Sequence, residues 1–216
     1  MSGTPGASRF AGGVIFDLDG TLVDSWALHR DCLRAVAVNV HGIPASAAEI
    51  AAAQRPTDRA TLAALVGPDH LAEAELIYRR VLRERLTTTA VAPMPYAAEA
   101  VRRLRRDGRP VGVCTGRSRS DAEALIRASG LTVDVTVARE DAARPKPAAD
   151  GLTLAMARLG LTADRTVYVG DTAADASQGA GAGARTLVLS RLPAAHGAEW
   201  LRSLADLPAA LDGRSR

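Results

Sequence analysis

Four short stretches of the chain carry side chains able to do chemistry. The first is Asp17-Leu18-Asp19-Gly20-Thr21-Leu22, with two carboxylates two positions apart. The second is Thr115-Gly116, a hydroxyl followed by a residue without a side chain. The third is Lys146, set between Pro145 and Pro147, and the fourth is Gly170-Asp171-Thr172-Ala173-Ala174-Asp175. Singly, each has a plain explanation, since an aspartate at a strand end is commonly a turn former or a helix N-cap. Together they would gather four acids, one hydroxyl and one ammonium. Burying several carboxylates in one crevice is costly without a cation. Like charges ~4 Å apart repel by about 4 kcal/mol at an effective dielectric of about 20. A hard divalent ion offsets that repulsion, and an all-oxygen ligand set points to magnesium. Lys146 is also the only lysine in a chain whose other basic side chains, histidines aside, are arginine. A compact ammonium reaches a carboxylate and a phosphate as a point charge where a planar guanidinium does not fit.

The elements around these stretches are those of an open α/β sheet. Short apolar runs at Gly13 to Leu18, Arg109 to Thr115, Arg165 to Asp171 and Arg185 to Ser190 read as buried strands, with Val133 to Val137 a candidate fifth. Helical patterns fall between them at Tyr96 to Asp107, Ser120 to Ser129, Ala148 to Leu159 and Ala173 to Ala182, each stopped at or near a glycine or turn. Strands alternating with helices predict a Rossmann-like parallel sheet covered on both faces. In such a sheet ligands bind beyond the carboxyl ends of the strands, where the four stretches lie. One segment breaks the alternation. From Ser25 to Ala92 no strand is evident, and helices are expected over Trp26 to His41, Ala45 to Val66 and Pro68 to Leu86. The predicted organisation is a core of residues 10–24 and 93–216, with a helical cap of residues 25–92 inserted after the first strand.

Bulk properties set the outer bounds. The 216 residues carry a formal charge of only +3, and the arginine runs at Arg79-Arg80 and Arg102 to Arg106 are mixed with acids and lack interleaved aromatics. They read as solvated helix faces, not a nucleic-acid surface, and an anionic small-molecule substrate suits the balance. No apolar stretch has membrane-spanning length, and residues 1–13 read as a leader without a signal core. Cys32 and Cys114 fit reduced core thiols in a cytoplasmic protein. A monomer or a homodimer is expected.

The four stretches in this order resemble the motifs of the haloacid dehalogenase-like superfamily. Asp17-Leu18-Asp19-Gly20-Thr21 is similar to its DxDGT motif, Thr115 to the hydroxyl of the second, Lys146 to the third, and Gly170-Asp171 with Asp175 to the acidic fourth. The helical insertion resembles the cap of the phosphoglycolate phosphatase and β-phosphoglucomutase group. The resemblance implies a magnesium-dependent phosphatase acting on a small phosphate monoester. Asp17 would be the nucleophile that forms an aspartyl-phosphate, and Asp19 the acid and base. Magnesium would be held by the carboxylates of Asp17 and Asp171 and the main-chain carbonyl of Asp19. Thr115, Gly116 and Lys146 would bind the phosphoryl oxygens, and Asp175 would support the metal shell or orient Lys146.

Substrate choice is expected from the cap and its hinge. His29 stands where hexose-phosphate phosphatases and β-phosphoglucomutases of this resemblance carry a histidine. Gln54-Arg55-Pro56-Thr57-Asp58-Arg59 resembles the specificity loop, so Arg55 or Arg59 would bind a second polar group of the substrate, and Arg117 would face the mouth of the site. A sugar-phosphate mutase and a non-catalytic binding protein are the competing readings. The cap holds no lysine, which counts against the mutase.

Overall fold

The computed structural model describes residues 12–190 and 199–213; nearly all of the expected leader lies outside them. The first strand, β1 (Gly13–Phe16), is buried along its whole length. Helices α1 (Trp26–His41), α2 (Ala47–Ala53), α3 (Asp58–Val66) and α4 (Leu71–Thr88) follow with no strand among them. Regular alternation then begins: α5 (Ala97–Arg106), β2 (Val111–Cys114), α6 (Arg119–Ala128), β3 (Val135–Val137), α7 (Asp150–Arg158), β4 (Thr166–Gly170), α8 (Ala173–Gly181), β5 (Arg185–Leu189), β6 (Glu199–Leu201) and α9 (Leu207–Leu211).

Among the described residues six strands form one parallel sheet in the order β3-β2-β1-β4-β5-β6. That is the doubly wound order, with its reversal between β1 and β4, the strands that carry Asp17 and Asp171 at their ends. Side chains alternate across the sheet. Val14 and Phe16 enter the larger core, with α1, α4, α5 and α6, whereas Ile15 packs on the other face with Cys114, Leu152, Met156 and Tyr168. Because both faces are covered, β1, β2 and β4 are apolar without alternation. Burial of a side chain such as Phe16 or Ile15 contributes about 1.5–3 kcal/mol each. Both cysteines are free and buried, and burial raises each thiol to about 12.

Three details differ from the sequence expectation. The single helix expected over Ala45 to Val66 is two, because Pro56 disfavours helical backbone at Arg55 and Thr57 restarts the chain as an N-cap, accepting from the Ala60 N–H. The helix expected from Pro68 opens as a single 3-10 turn, and α4 starts at Leu71. Strand β6 and helix α9 were not anticipated: β6 is three residues long and two of them face solvent, so it lacks an apolar run.

Candidate active site

Each of the four chemical stretches follows a strand or the loop beyond one, and β3, β2, β1 and β4 are successive neighbours. Asp17 follows β1 directly, its N–H bonded to the Val169 carbonyl of β4 (2.8 Å). Thr115 follows β2, its N–H bonded to Val137 of β3 (3.0 Å). These bonds extend the sheet ladder by one residue and so fix both side chains at its edge. Asp171 follows β4, and Gly20 lies against it: Gly20 has φ +74°, and a Cβ there would collide with the Asp171 carboxylate. Thr172 and Asp175 form a capping box at the start of α8, which holds the Asp175 carboxylate over the end of β4.

These side chains meet. Lys146 Nζ donates to Asp17 Oδ1 (2.5 Å) and to Asp175 Oδ1 (2.7 Å), with its side chain 6 % exposed. Carboxylate oxygens of Asp17, Asp171 and Asp175 all lie within 4.8 Å of one another. Tyr168 donates to Asp175 (2.7 Å), and Thr21 to Asp171 (3.1 Å). The electrostatics follow from this crowding. Burial first, and then the charges of Asp175, Asp171 and Asp19, raise Asp17 well above the ordinary carboxylate range despite Lys146. Burial and Asp175 push Asp171 up to about 7. Asp175 is held low, because the charge and hydrogen bond of Lys146, with Thr172 and Tyr168, outweigh its burial. Two acids that resist ionisation, Asp17 buried and Asp171 partly exposed, beside a third that is ionised make a donor set of hard oxygens short of positive charge. That is the chemistry a divalent cation satisfies, so Asp17 and Asp171 fit such an ion.

Asp19 faces the other way. Its carboxylate accepts from Arg117 Nε (2.8 Å) and Nη2 (2.8 Å), and from the Ser25 hydroxyl. Burial opposes ionisation, but the Arg117 charge and these hydrogen bonds together hold Asp19 below the ordinary range. Asp19 is thus separated from the acid cluster by its partners, although only two residues from Asp17.

The helices after β1 cover this crevice and leave a cavity of about 290 Å³, lined among others by Asp17, Asp19, Trp26, His29, Gln54, Arg55, Thr115, Arg117, Lys146 and Asp171. The loop between α2 and α3 comes down on Gly116, where a Cβ would collide with the Pro56 carbonyl oxygen. Asp58, at the start of α3, accepts from the Ser118 N–H (3.2 Å) and pairs with Arg139, which also faces Glu75 of α4 (3.5 Å). The helical segment is therefore seated against the loops after β2 and β3 by backbone contact and ion pairs.

The expected specificity residues divide. His29 lines the cavity, its Nδ1 2.6 Å from the Tyr78 hydroxyl; burial, then the Arg117 charge, lowers it to about 4, so it is neutral near pH 7. Arg55 lines the cavity while donating to the carbonyls of Ala52 (2.9 Å) and Gln54 (2.8 Å). Arg59 does not line it, and pairs with Glu75 (2.6 Å) on the surface. Arg117 is not at the mouth either. It is 5 % exposed, because a guanidinium with Asp19 and the Tyr78 hydroxyl as partners is drawn inward. Sequence reasoning missed Tyr78, Ser25 and Arg139. Tyr78 sits in the apolar stripe of α4 and reads there as one more core residue.

Known proteins agree with this geometry. Residues 12–183 match the family described as "Hydrolase: haloacid dehalogenase-like hydrolase". A phosphoglycolate phosphatase of Cereibacter sphaeroides is 31 % identical over 182 residues, 80 % of this chain and 82 % of that protein. The fructose-1-phosphate phosphatase YqaB of Escherichia coli is 31 % identical over 172 residues, 76 % of this chain and 87 % of that one. Among solved structures, CbbY from Rhodobacter sphaeroides in complex with phosphate superposes with a TM-score of 0.80 at 25 % identity, covering 91 % of this chain and 96 % of that one. The chain therefore belongs to the haloacid dehalogenase-like hydrolases, within their phosphatase group.

Proposed function

We propose that this phosphoric monoester hydrolase acts on a small-molecule phosphate ester through an aspartyl-phosphate on Asp17, with magnesium as cofactor. We further propose that residues 25–92 form a cap over a core of residues 10–24 and 93–216. The observation that carries the reading is the Asp17 carboxylate, buried against Lys146 and grouped with Asp171 and Asp175 at the floor of the covered cavity.

Asp19, ionised in the substrate-free protein, takes up a proton as the substrate binds; an oxygen of Asp17 attacks phosphorus, the P–O bond to the leaving alkoxide breaks, and Asp19 gives that proton to the alkoxide. Asp19 then accepts a proton from water as that water attacks the same phosphorus, and the bond to Asp17 breaks, releasing phosphate. Lys146 donates to a phosphoryl oxygen from its position between Asp17 and Asp175. Thr115 Oγ1 accepts from the Arg117 N–H (3.2 Å), which leaves its own proton for a second phosphoryl oxygen. Asp17 and Asp171, with the main-chain carbonyl of Asp19, would hold the magnesium ion, which when bound offsets the repulsion between the anionic nucleophile and the phosphate. Asp175 orients Lys146. His29 and Arg55 face the part of the substrate beyond the phosphate. The relatives named for phosphoglycolate and fructose 1-phosphate suggest esters of that size, which a cavity of about 290 Å³ accommodates.

The test is a phosphate-release screen over phosphoglycolate, fructose 1-phosphate, β-glucose 1-phosphate and other small metabolite esters, with magnesium or with chelator. Release from at least one ester, abolished by chelator, is expected. Isomerised β-glucose 1-phosphate without free phosphate, or no release from any ester, would overturn the reading.

A pH dependence follows from the acid cluster. Asp171 takes up its proton near pH 7 instead of near 3.8, and Asp17 is raised as well. Each folded-state value is above the unfolded one, so the metal-free protein loses stability as pH rises through this window. Magnesium must displace these protons below pH 7, and its apparent affinity is expected to weaken there by up to about tenfold per pH unit for each proton displaced. Thermal unfolding with and without magnesium checks this: the shift produced by the ion is expected to be larger at pH 8 than at pH 5.

A further inference from the structure

A buried chain of side chains connects the helical segment to Asp19. Arg117 grips both carboxylate oxygens of Asp19 through Nε and Nη2. Its remaining nitrogen, Nη1, donates to the Tyr78 hydroxyl at 2.6 Å. Tyr78 belongs to α4 and is 1 % exposed; on its other side the hydroxyl meets His29 Nδ1 of α1, also at 2.6 Å. Tyr78 makes no hydrogen bond to Asp17 or Lys146, and the mechanism above makes no use of it. A tyrosine hydroxyl is costly to bury without partners, and here both partners are polar groups of the site itself. The fork of Arg117 is planar, so fixing Nη1 also fixes the plane in which Nε and Nη2 present themselves to Asp19.

We propose that Tyr78 is a positioning residue: by holding Arg117 Nη1 from helix α4, it sets the orientation of the Asp19 carboxylate toward the leaving oxygen of the ester. This deepens the phosphatase reading and rests on it. Without the hydroxyl the guanidinium is free to rock about its Nε, and Asp19 rocks with it. The loss falls on the step that needs a proton, and much less on the attack by Asp17.

Two substrates separate these steps. In forming the aspartyl-phosphate, an alkyl ester leaves as a strongly basic alkoxide and needs the Asp19 proton, whereas p-nitrophenyl phosphate leaves as a stable anion and needs it little; the later hydrolysis of the aspartyl-phosphate is common to both. Tyr78→Phe keeps the ring and removes only the hydroxyl. With the alkyl phosphate turned over fastest in the metabolite screen, kcat/KM, which reports formation of the aspartyl-phosphate and not its hydrolysis, is expected to fall about 10- to 100-fold, against less than about threefold with p-nitrophenyl phosphate. Arg117→Lys, which keeps a cation but cannot bridge Asp19 and Tyr78, is expected to show the same selectivity, and it carries the test should Tyr78→Phe fail to fold. Equal losses of kcat/KM on both substrates, or no loss on either, would overturn the role of Tyr78 while leaving the phosphatase reading intact. Failure of the unmodified protein to release phosphate from either substrate would overturn both.

Discussion

Asp17→Asn is expected to keep the fold and to lose about 10⁴-fold or more in kcat, the scale on which removal of a covalent nucleophile acts. The amide is nearly the same shape as the carboxylate, so packing at the end of β1 is undisturbed. One negative charge leaves a cluster in which burial already penalises it, and Lys146 keeps Asp175 as a partner at 2.7 Å. The thermal midpoint of metal-free Asp17→Asn is therefore expected to equal or exceed that of the unmodified protein. Lost activity with unchanged or raised stability separates a chemical role from a structural one. Steady-state phosphate release and thermal unfolding on the same preparation measure both.

Lys146→Arg carries the second largest expected effect. It conserves charge, so a purely electrostatic requirement would be met. The position has no space to spare: the ammonium is buried, bonded to Asp17 and Asp175, and stands 5.6 Å from the centre of the Tyr168 ring. A guanidinium is longer and flat, and overfilling a packed site costs about 1–3 kcal/mol. It would also displace the donor from the point where a phosphoryl oxygen sits, and loss of one such donor costs about 10²–10³ in kcat. A fall of that size in phosphate release, with a modest loss of stability in denaturant unfolding, is the expected result. This links back to composition: a chain that otherwise uses arginine kept lysine at this one position.

The parts of the molecule legible in its sequence share a physical cause. Strands β1, β2 and β4 are buried along their whole length, so each is a largely apolar run followed by a chemical residue, and Asp17, Thr115, Lys146 and Asp171 line one cavity as their order along the chain implied. Edge strand β6 has no such run, and its three residues carry no periodic signal. The break between α2 and α3 had a cue in Pro56, but apolar spacing on both sides ran through it. Arg117 shows the other limit. Its place after Thr115-Gly116 marked it as near the site, yet its direction depends on partners 98 positions away at Asp19 and 39 away at Tyr78. Arg59 failed in the same way, since Glu75, on another helix, takes its charge to the surface. Chemistry local to strand ends is readable from one sequence; which of several polar side chains will pair across helices is settled only by packing.

The central claim is that Asp17 becomes phosphorylated, and mass spectrometry of acid-quenched turnover mixtures addresses it most directly. Peptides from the unmodified protein, quenched during steady-state hydrolysis with magnesium, are expected to carry one added phosphoryl group on Asp17, absent from Asp17→Asn and from mixtures containing chelator. Turnover with no phosphoryl group on the Asp17 peptide at any quench time, or with the group on another residue, would contradict it.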